Sequence, residues 1–118
     1  MNETLSKLIL QLPNYFCPER AEGIVVLAGL ELADATPDYW TLNINDRQCE
    51  VSHSQAVNPQ LVLIAASADL SDVLTGKMDM THAFMRGKIR LKGKIKLAMK
   101  LLDLFDIPDE FQSIVDAG

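Results

Sequence analysis

Two histidines, two cysteines and sixteen carboxylates are the side chains with which this chain could do acid–base, nucleophilic or metal chemistry. His53 is followed by Ser54, but neighbours on an extended segment point to opposite faces, so adjacency makes no dyad. His82 falls in a short helical stretch and is read as a surface residue. No serine or cysteine sits in a nucleophile-elbow context such as G-x-S-x-G. Cys17 and Cys49 lack C-x-x-C spacing and are read as free thiols in a reducing compartment. No His, Cys or acidic spacing matches a zinc or calcium site. Leu74-Thr75-Gly76-Lys77 looks like the end of a phosphate loop. Yet Ser71 stands where its first glycine belongs, and Met78 where Ser or Thr must follow the lysine. Sixteen acids make chance carboxylate pairs common, and none stands out as a glycosidase pair. The residues therefore predict no enzyme, no metal and no cofactor.

What remains is Leu74 to Phe105, a stretch both basic and apolar. Residues 77–100 hold eight of the eleven bases and one of the sixteen acids, a charge of +7 that leaves −12 for the rest. The net charge of −5 excludes general nucleic-acid binding, which needs a basic domain. The local excess fits an oriented contact with something anionic. A solvated strand face is the alternative. The same stretch supplies Phe84, Met85, Ile89, Leu91, Leu97, Met99, Leu101, Leu104 and Phe105. These make either a core or one wall of a cavity for a large apolar ligand. Each buried acyl methylene is worth about 0.8 kcal/mol. A sixteen-carbon chain would then supply roughly 12 kcal/mol before ordering costs. Apolar contact alone suffices, without catalytic groups.

The elements that must position these residues follow from periodicity. Leu5, Leu8, Ile9 and Leu12 recur at helical spacing, and Pro13 is expected to stop that helix. Pro18 to Glu22 reads as a short helix ended by Gly23. Residues 24–33 read as a strand with a bend at Gly29. Tyr39 to Asn45 alternates, with Trp40, Leu42 and Ile44 on one face. Asn45-Asp46-Arg47 is turn chemistry. Gln48 to Gln55 is a polar strand with Cys49 and Val51 inward, and Gln60 to Ser67 is a central strand apolar on both faces. Short turns between the four predict an antiparallel meander. Asp69 is the expected cap of a helix that runs to Thr75, with Gly76 just past its end. Asp79 caps a second helix, Met80 to Arg86, ended by Gly87. Lys88 to Lys92 alternates as a strand with Ile89 and Leu91 inward, and Gly93 breaks it. Residues 95–105 return to helical period. A last short helix from Pro108 offers Phe111, Ile114 and Val115.

A chain of 118 residues predicts one domain over residues 1–118. No run reaches the roughly 18 apolar residues needed to span a bilayer. MNETLSKLILQLP lacks a basic n-region and a small-residue cleavage site. A cytoplasmic protein is the expectation.

Thr75 to Leu101, TGKMDMTHAFMRGKIRLKGKIKLAMKL, resembles the signature of the sterol carrier protein type 2 family. Gly76-Lys77, the capped turn at Asp79, Ala83-Phe84, Gly87-Lys88, the alternating Ile89 to Lys92, Gly93, and Leu97 to Leu101 carry the likeness. It extends more loosely upstream, to an N-terminal helix and a second strand bearing Trp40. The resemblance implies an α+β fold. A five-stranded, mostly antiparallel sheet is covered on one face by helices and encloses an apolar tunnel. It implies a non-catalytic domain that binds and transfers a sterol, fatty acyl or isoprenoid lipid. Trp40, Phe84, Ile89, Leu91, Leu97, Leu101, Leu104 and Phe105 would line the cavity. Arg86, Lys88, Arg90, Lys92, Lys94 and Lys96 would meet an anionic headgroup or membrane. Prokaryotic relatives include accessory proteins of quinone synthesis and alkylsulfatase C-terminal domains. The alternative is therefore an accessory protein that presents a ubiquinone precursor or similar intermediate to a partner enzyme. The family's peroxisomal tripeptide is replaced by Asp116-Ala117-Gly118, which points to a free-standing prokaryotic-type member. Lys94 and Lys96 replace small or polar residues usual after the last glycine.

Overall fold

The computed structural model describes residues 3–34 and 38–107, with side chains from Leu5 onward. Nine elements follow in order: α1 (Glu3–Tyr15), β1 (Val26–Leu32), β2 (Asp38–Asn45), β3 (Gln48–Ser52), β4 (Leu61–Ala65), α2 (Ser67–Leu74), α3 (Met80–Met85), β5 (Ile89–Gly93) and α4 (Lys96–Asp103). A single 3-10 turn, Pro18–Arg20, sits between α1 and β1. The sheet order is β3-β2-β1-β4-β5. Three pairings are antiparallel, and β1 with β4 is parallel. The fold is α+β with a five-stranded, mostly antiparallel sheet.

The two-residue period of a strand sorts side chains by face. Register puts Leu30 beside Trp40 and Leu63, and Ala28 beside Leu42 and Leu61. Val26, Leu32, Ile44, Ala65 and Ile89 share that face, and all of these are buried. Leu5, Ile9 and Leu12 of α1, Ala98 and Leu101 of α4, and Leu104 just past its end join them in one core cluster. The helices thus cover this inner face. The predicted α1 stripe of Leu5, Leu8, Ile9 and Leu12 is buried throughout.

Four local expectations are corrected. Pro13 lies inside α1, which runs on to Tyr15. An interior proline forfeits a hydrogen bond and costs about 3 kcal/mol. The segment beyond it is held from outside, by Asp106 N–H donating to the Tyr15 carbonyl at 2.9 Å. The cap of α2 is not Asp69, which lies in its first turn. The N-cap position is Ala66, and the capping carboxylate comes from Asp34, two residues beyond β1, which accepts from the Ser67 N–H (3.0 Å) and the Ser67 hydroxyl (2.7 Å). Gly29 makes no bend: it pairs in register with Thr41 and Val62. The meander ends at β3. The connection 53–60 then arches over the outer face of the sheet and delivers β4 to the far side of β1. Ser54 accepts from the Thr41 hydroxyl at 2.8 Å on the way. The helix expected from Pro108, with Phe111, Ile114 and Val115, lies outside the described residues.

Other signals hold. Asp79 caps α3 by accepting from the His82 N–H at 3.1 Å. Asp46 and Arg47 both take left-handed φ, 53° and 57°, the geometry of a two-residue type I′ hairpin turn. Gly93 is the tightest glycine. Its φ is 89°, and a Cβ there would sit 2.3 Å from the Gln60 carbonyl oxygen. Gly93→Ala is therefore expected to lower the unfolding free energy by at least about 2 kcal/mol. Denaturant melts check this, and a change under half that size would contradict the geometry.

Candidate functional site

The inner face and its helices receive most of the predicted lining residues. Trp40, Ile89, Leu101 and Leu104 are buried, and Leu91, Leu97 and Phe105 are half-buried. Phe84 differs: it is 42% exposed. Met80 and Ala83, three apart on the six-residue α3, take the buried stripe, so Phe84 and Met85 are left outside. Pattern matching alone could not see this, because a helix of under two turns has room for one inward stripe.

A cavity of about 250 Å³ opens where the end of α2 meets the end of α4. Val73, Leu74, Leu102, Phe105 and Ile107 line it, with Thr75 and Gly76 at the helix end. Of the predicted lining residues it takes Phe105. The others were missed because a void between two helix ends is defined by tertiary packing, not by either helix's own period. The Thr75 hydroxyl donates to the Ser71 carbonyl at 2.7 Å and is satisfied within α2. The cavity therefore presents mainly aliphatic and aromatic surface. Beside it the two ends of the helical layer are fastened together. Cys17 N–H donates to the Leu104 carbonyl (2.7 Å), and the Phe16 and Phe105 rings lie 5.7 Å apart, tilted by 58°.

The basic residues lie outside, as their alternation predicts. Arg86, Lys88, Arg90, Lys92, Lys94 and Lys96 are all exposed. Lys88 comes no closer than 3.9 Å to Asp69. Arg90 and Lys92 pair with Ile64 and Val62, which places them on the outer sheet face. The others flank the edge strand β5. Charged edge strands also resist unwanted strand pairing. More telling are the apolar residues among these bases: Phe84, Met85, Ile95 and Met99 are each between 42% and 79% exposed. The Thr81 hydroxyl approaches the Met99 sulfur at 3.9 Å, so α3 and α4 lie side by side there.

One constellation was not legible from adjacency in the sequence. Asp38 and Trp40 are two apart on β2, and the β2–β3 register continued by one step brings His53 opposite Trp40. The imidazole stacks on the indole with centroids 4.0 Å apart and planes within 7°. Asp38 holds both: its carboxylate lies 2.5 Å from His53 Nε2 and accepts from the Trp40 indole N–H at 3.2 Å. The His53 hydrogen bond holds the Asp38 carboxyl below its ordinary value of 3.8, against a smaller upward pull from burial. His53 thus lids Trp40. Burial, helped by the Glu50 charge, pushes the Cys49 thiol up to about 12, which keeps it protonated and unreactive. Both cysteines are free thiols. Among the described residues no group of three or more His, Cys, Asp or Glu could hold a metal, and no helix is long and apolar enough to cross a membrane.

Comparison with known proteins gives this geometry a family. The profile of the SCP-2 sterol transfer family matches residues 9–106. Hydroxysteroid dehydrogenase-like protein 2 of Rattus norvegicus is 33% identical over 72 residues, 60% of this chain but 14% of its own length. The crystal structure of sterol carrier protein 2 like 2 from Aedes aegypti superposes with a TM-score of 0.71 at 19% identity, covering 87% of this chain and 94% of that one. A ubiquinone synthesis protein described as UbiJ-SCP2 superposes with a TM-score of 0.67 at 17% identity, covering 84% and 90%. The dehydrogenase in the rat protein's name belongs to a chain of which this one spans about a seventh.

Because Asp38 titrates low, its contribution to stability is full above pH 3.8 and is lost as pH falls through the lowered value. Asp38→Asn should therefore melt below the parent protein at pH 6, and the gap should close in acid. A gap independent of pH would show that the carboxylate's charge is irrelevant.

Proposed function

The chain belongs to the SCP-2 sterol transfer family, and on that premise we propose that it is a non-catalytic carrier of a lipid of sterol, fatty acyl or isoprenoid type. The observation that carries this reading is the apolar cavity between α2 and α4, lined by Val73, Leu74, Leu102, Phe105 and Ile107. The lipid's tail enters there and extends along the buried residues Leu101 and Leu104 toward Ile89 and Trp40. At about 250 Å³ the cavity is smaller than the ~300–1,000 Å³ of drug-sized sites. A long tail must displace side chains, and the end of α4 is the element that gives way. Native mass spectrometry of gently purified protein, with titration of a fluorescent fatty acid, tests the reading. The expected outcome is a stoichiometric lipid adduct and saturable uptake. Leu102→Trp, which fills the cavity, should weaken uptake about tenfold or more, the loss of roughly two methylene contacts. Protein that carries no lipid and takes up no probe would refute it.

The exposed apolar side chains Phe84, Met85, Ile95 and Met99 lie among the bases Arg86, Lys94 and Lys96. This combination supports reversible docking on an anionic membrane, at about 1 kcal/mol per basic residue near the surface. Vesicles with equal parts phosphatidylcholine and phosphatidylserine should bind the protein at low salt. Reversing Lys94 and Lys96 to Glu should weaken that binding about tenfold or more.

A second reading is supported by the fold likeness to the ubiquinone synthesis protein. Here the chain presents a lipophilic intermediate, such as a ubiquinone precursor, to a partner enzyme, and the basic band meets protein. Capture of a specific enzyme without vesicle binding would favour it.

A further inference from the structure

The outer face of the sheet, away from the helices, holds a second cavity of about 200 Å³. Its floor is Gly29 with Val62 and Ile64, and its roof is the arch residues Ala56 and Pro59. Gly29 is hard to explain by structure alone. A glycine at a strand centre costs about 0.5–1 kcal/mol relative to alanine, and it usually marks a bulge, a bend or a close backbone approach. None of these applies. Gly29 pairs regularly on both sides, and its φ is not left-handed. A Cβ added there would meet the Ala56 Cβ and a Val62 methyl at 3.6 Å, which is ordinary contact. The arch does not require the glycine. What the missing side chain does is deepen the cavity.

The walls carry opposite charges. Glu31 on β1 is half-buried, and Lys92 on β5 is exposed at the rim. Among the described residues neither side chain has a hydrogen bond or ion pair. Register places Glu31 beside Tyr39 on one side and Ile64 on the other, with Lys92 beside Val62. The apolar strand β4 therefore runs between an anion and a cation. A half-buried carboxylate without a partner is unfavourable, and an ammonium group next to it would restore its hydrogen bonds. The Tyr39 ring beside it adds a favourable face for the same cation.

We propose that this cavity binds a small zwitterion with an apolar body, of the size and type of an aromatic amino acid. Its ammonium group pairs with Glu31 and its carboxylate with Lys92. Its apolar body lies over Gly29 and Val62 beneath Ala56 and Pro59. A cavity of about 200 Å³ suits a molecule of that size without displacing the side chains that line it. The site is separate from the lipid cavity, lies on the other side of the sheet and does not depend on the lipid reading.

The test is a titration of isotope-labelled full chain with L-phenylalanine, followed by amide chemical shifts. Phenethylamine and 3-phenylpropionate, each lacking one charge, serve as comparators. The expected result is saturable shifts centred on Gly29, Glu31, Val62 and Lys92. Each comparator should bind at least about tenfold more weakly, the loss of one charge-assisted contact. Glu31→Gln should abolish the preference of the parent protein for L-phenylalanine over 3-phenylpropionate. Gly29→Val should remove the shifts while fatty-acid uptake at the other cavity persists. If Gly29→Val does not fold, Gly29→Ala, whose methyl fits at contact distance, should weaken binding. No saturable shift up to the solubility limit would overturn the proposal. So would shifts scattered over the surface, equal binding of either comparator, or undiminished binding by the glycine variant that folds.

Discussion

Gln60 is the joint on which the sheet depends. Its backbone N–H donates to the Leu27 carbonyl, and its side-chain oxygen accepts from the Leu27 N–H, both at 2.8 Å. Its own carbonyl accepts from Lys94 N–H at 2.7 Å. One residue thus fixes where the arch lands on β1 and where β5 leaves β4. Because side chains alternate, a slip of one residue would turn every inward side chain of β4 outward. Leu61 and Leu63 would lose the core, and Val62 would leave the outer cavity. Gly93 must be glycine for the same reason, since the chain passes too close to the Gln60 carbonyl for any side chain.

The register held in this way gives the two faces different physical tasks. The inner face is a continuous apolar surface under α1 and α4, with a cavity where the ends of α2 and α4 meet. The outer face is covered by the arch, with apolar ground between unlike charges. The basic band runs round the edge strand that joins them. Lys92 belongs to the band by sequence and to the outer cavity by position. Arg86, Lys94 and Lys96 remain with the exposed apolar residues of α3 and α4. A charge run that looks uniform in the sequence is divided by the fold.

Local signals were legible where the interaction is itself local. The Asp79 cap acts across three residues, and the buried stripe of α1 repeats within two turns. The glycines at 76, 87 and 93 all take left-handed φ. The failures were distant. The carboxylate that serves the start of α2 is Asp34, 33 positions before Ser67, where local spacing points only to Asp69. The span 53–60 is short enough for a hairpin loop, and nothing in it says that it crosses β2 and β1 and delivers β4 to pair in parallel with β1. His53 looked inert because its meaning lies across the strand in Trp40 and Asp38, not in Ser54. Phe84 read as a lining residue because its neighbours in the signature do, but the short α3 had no further inward position to give it.

The fastening of Phe16 to Phe105 has a kinetic side. It joins positions 89 apart, and all five strands of the sheet lie inside the loop it closes. Closing so long a loop costs entropy, and that cost falls once the intervening sheet has brought the ends together. This contact should therefore form late in folding. Local opening that begins there would break the two backbone bonds between Tyr15-Cys17 and Leu104-Asp106, the Arg20 bond to the Asp103 carbonyl and one ring contact, yet no bond of the sheet. Opening the end of α4 would leave the sheet intact but expose Leu104, so its cost lies below that of global unfolding. A contact between the two ends of the described chain is then also a natural hinge for brief, reversible partial unfolding.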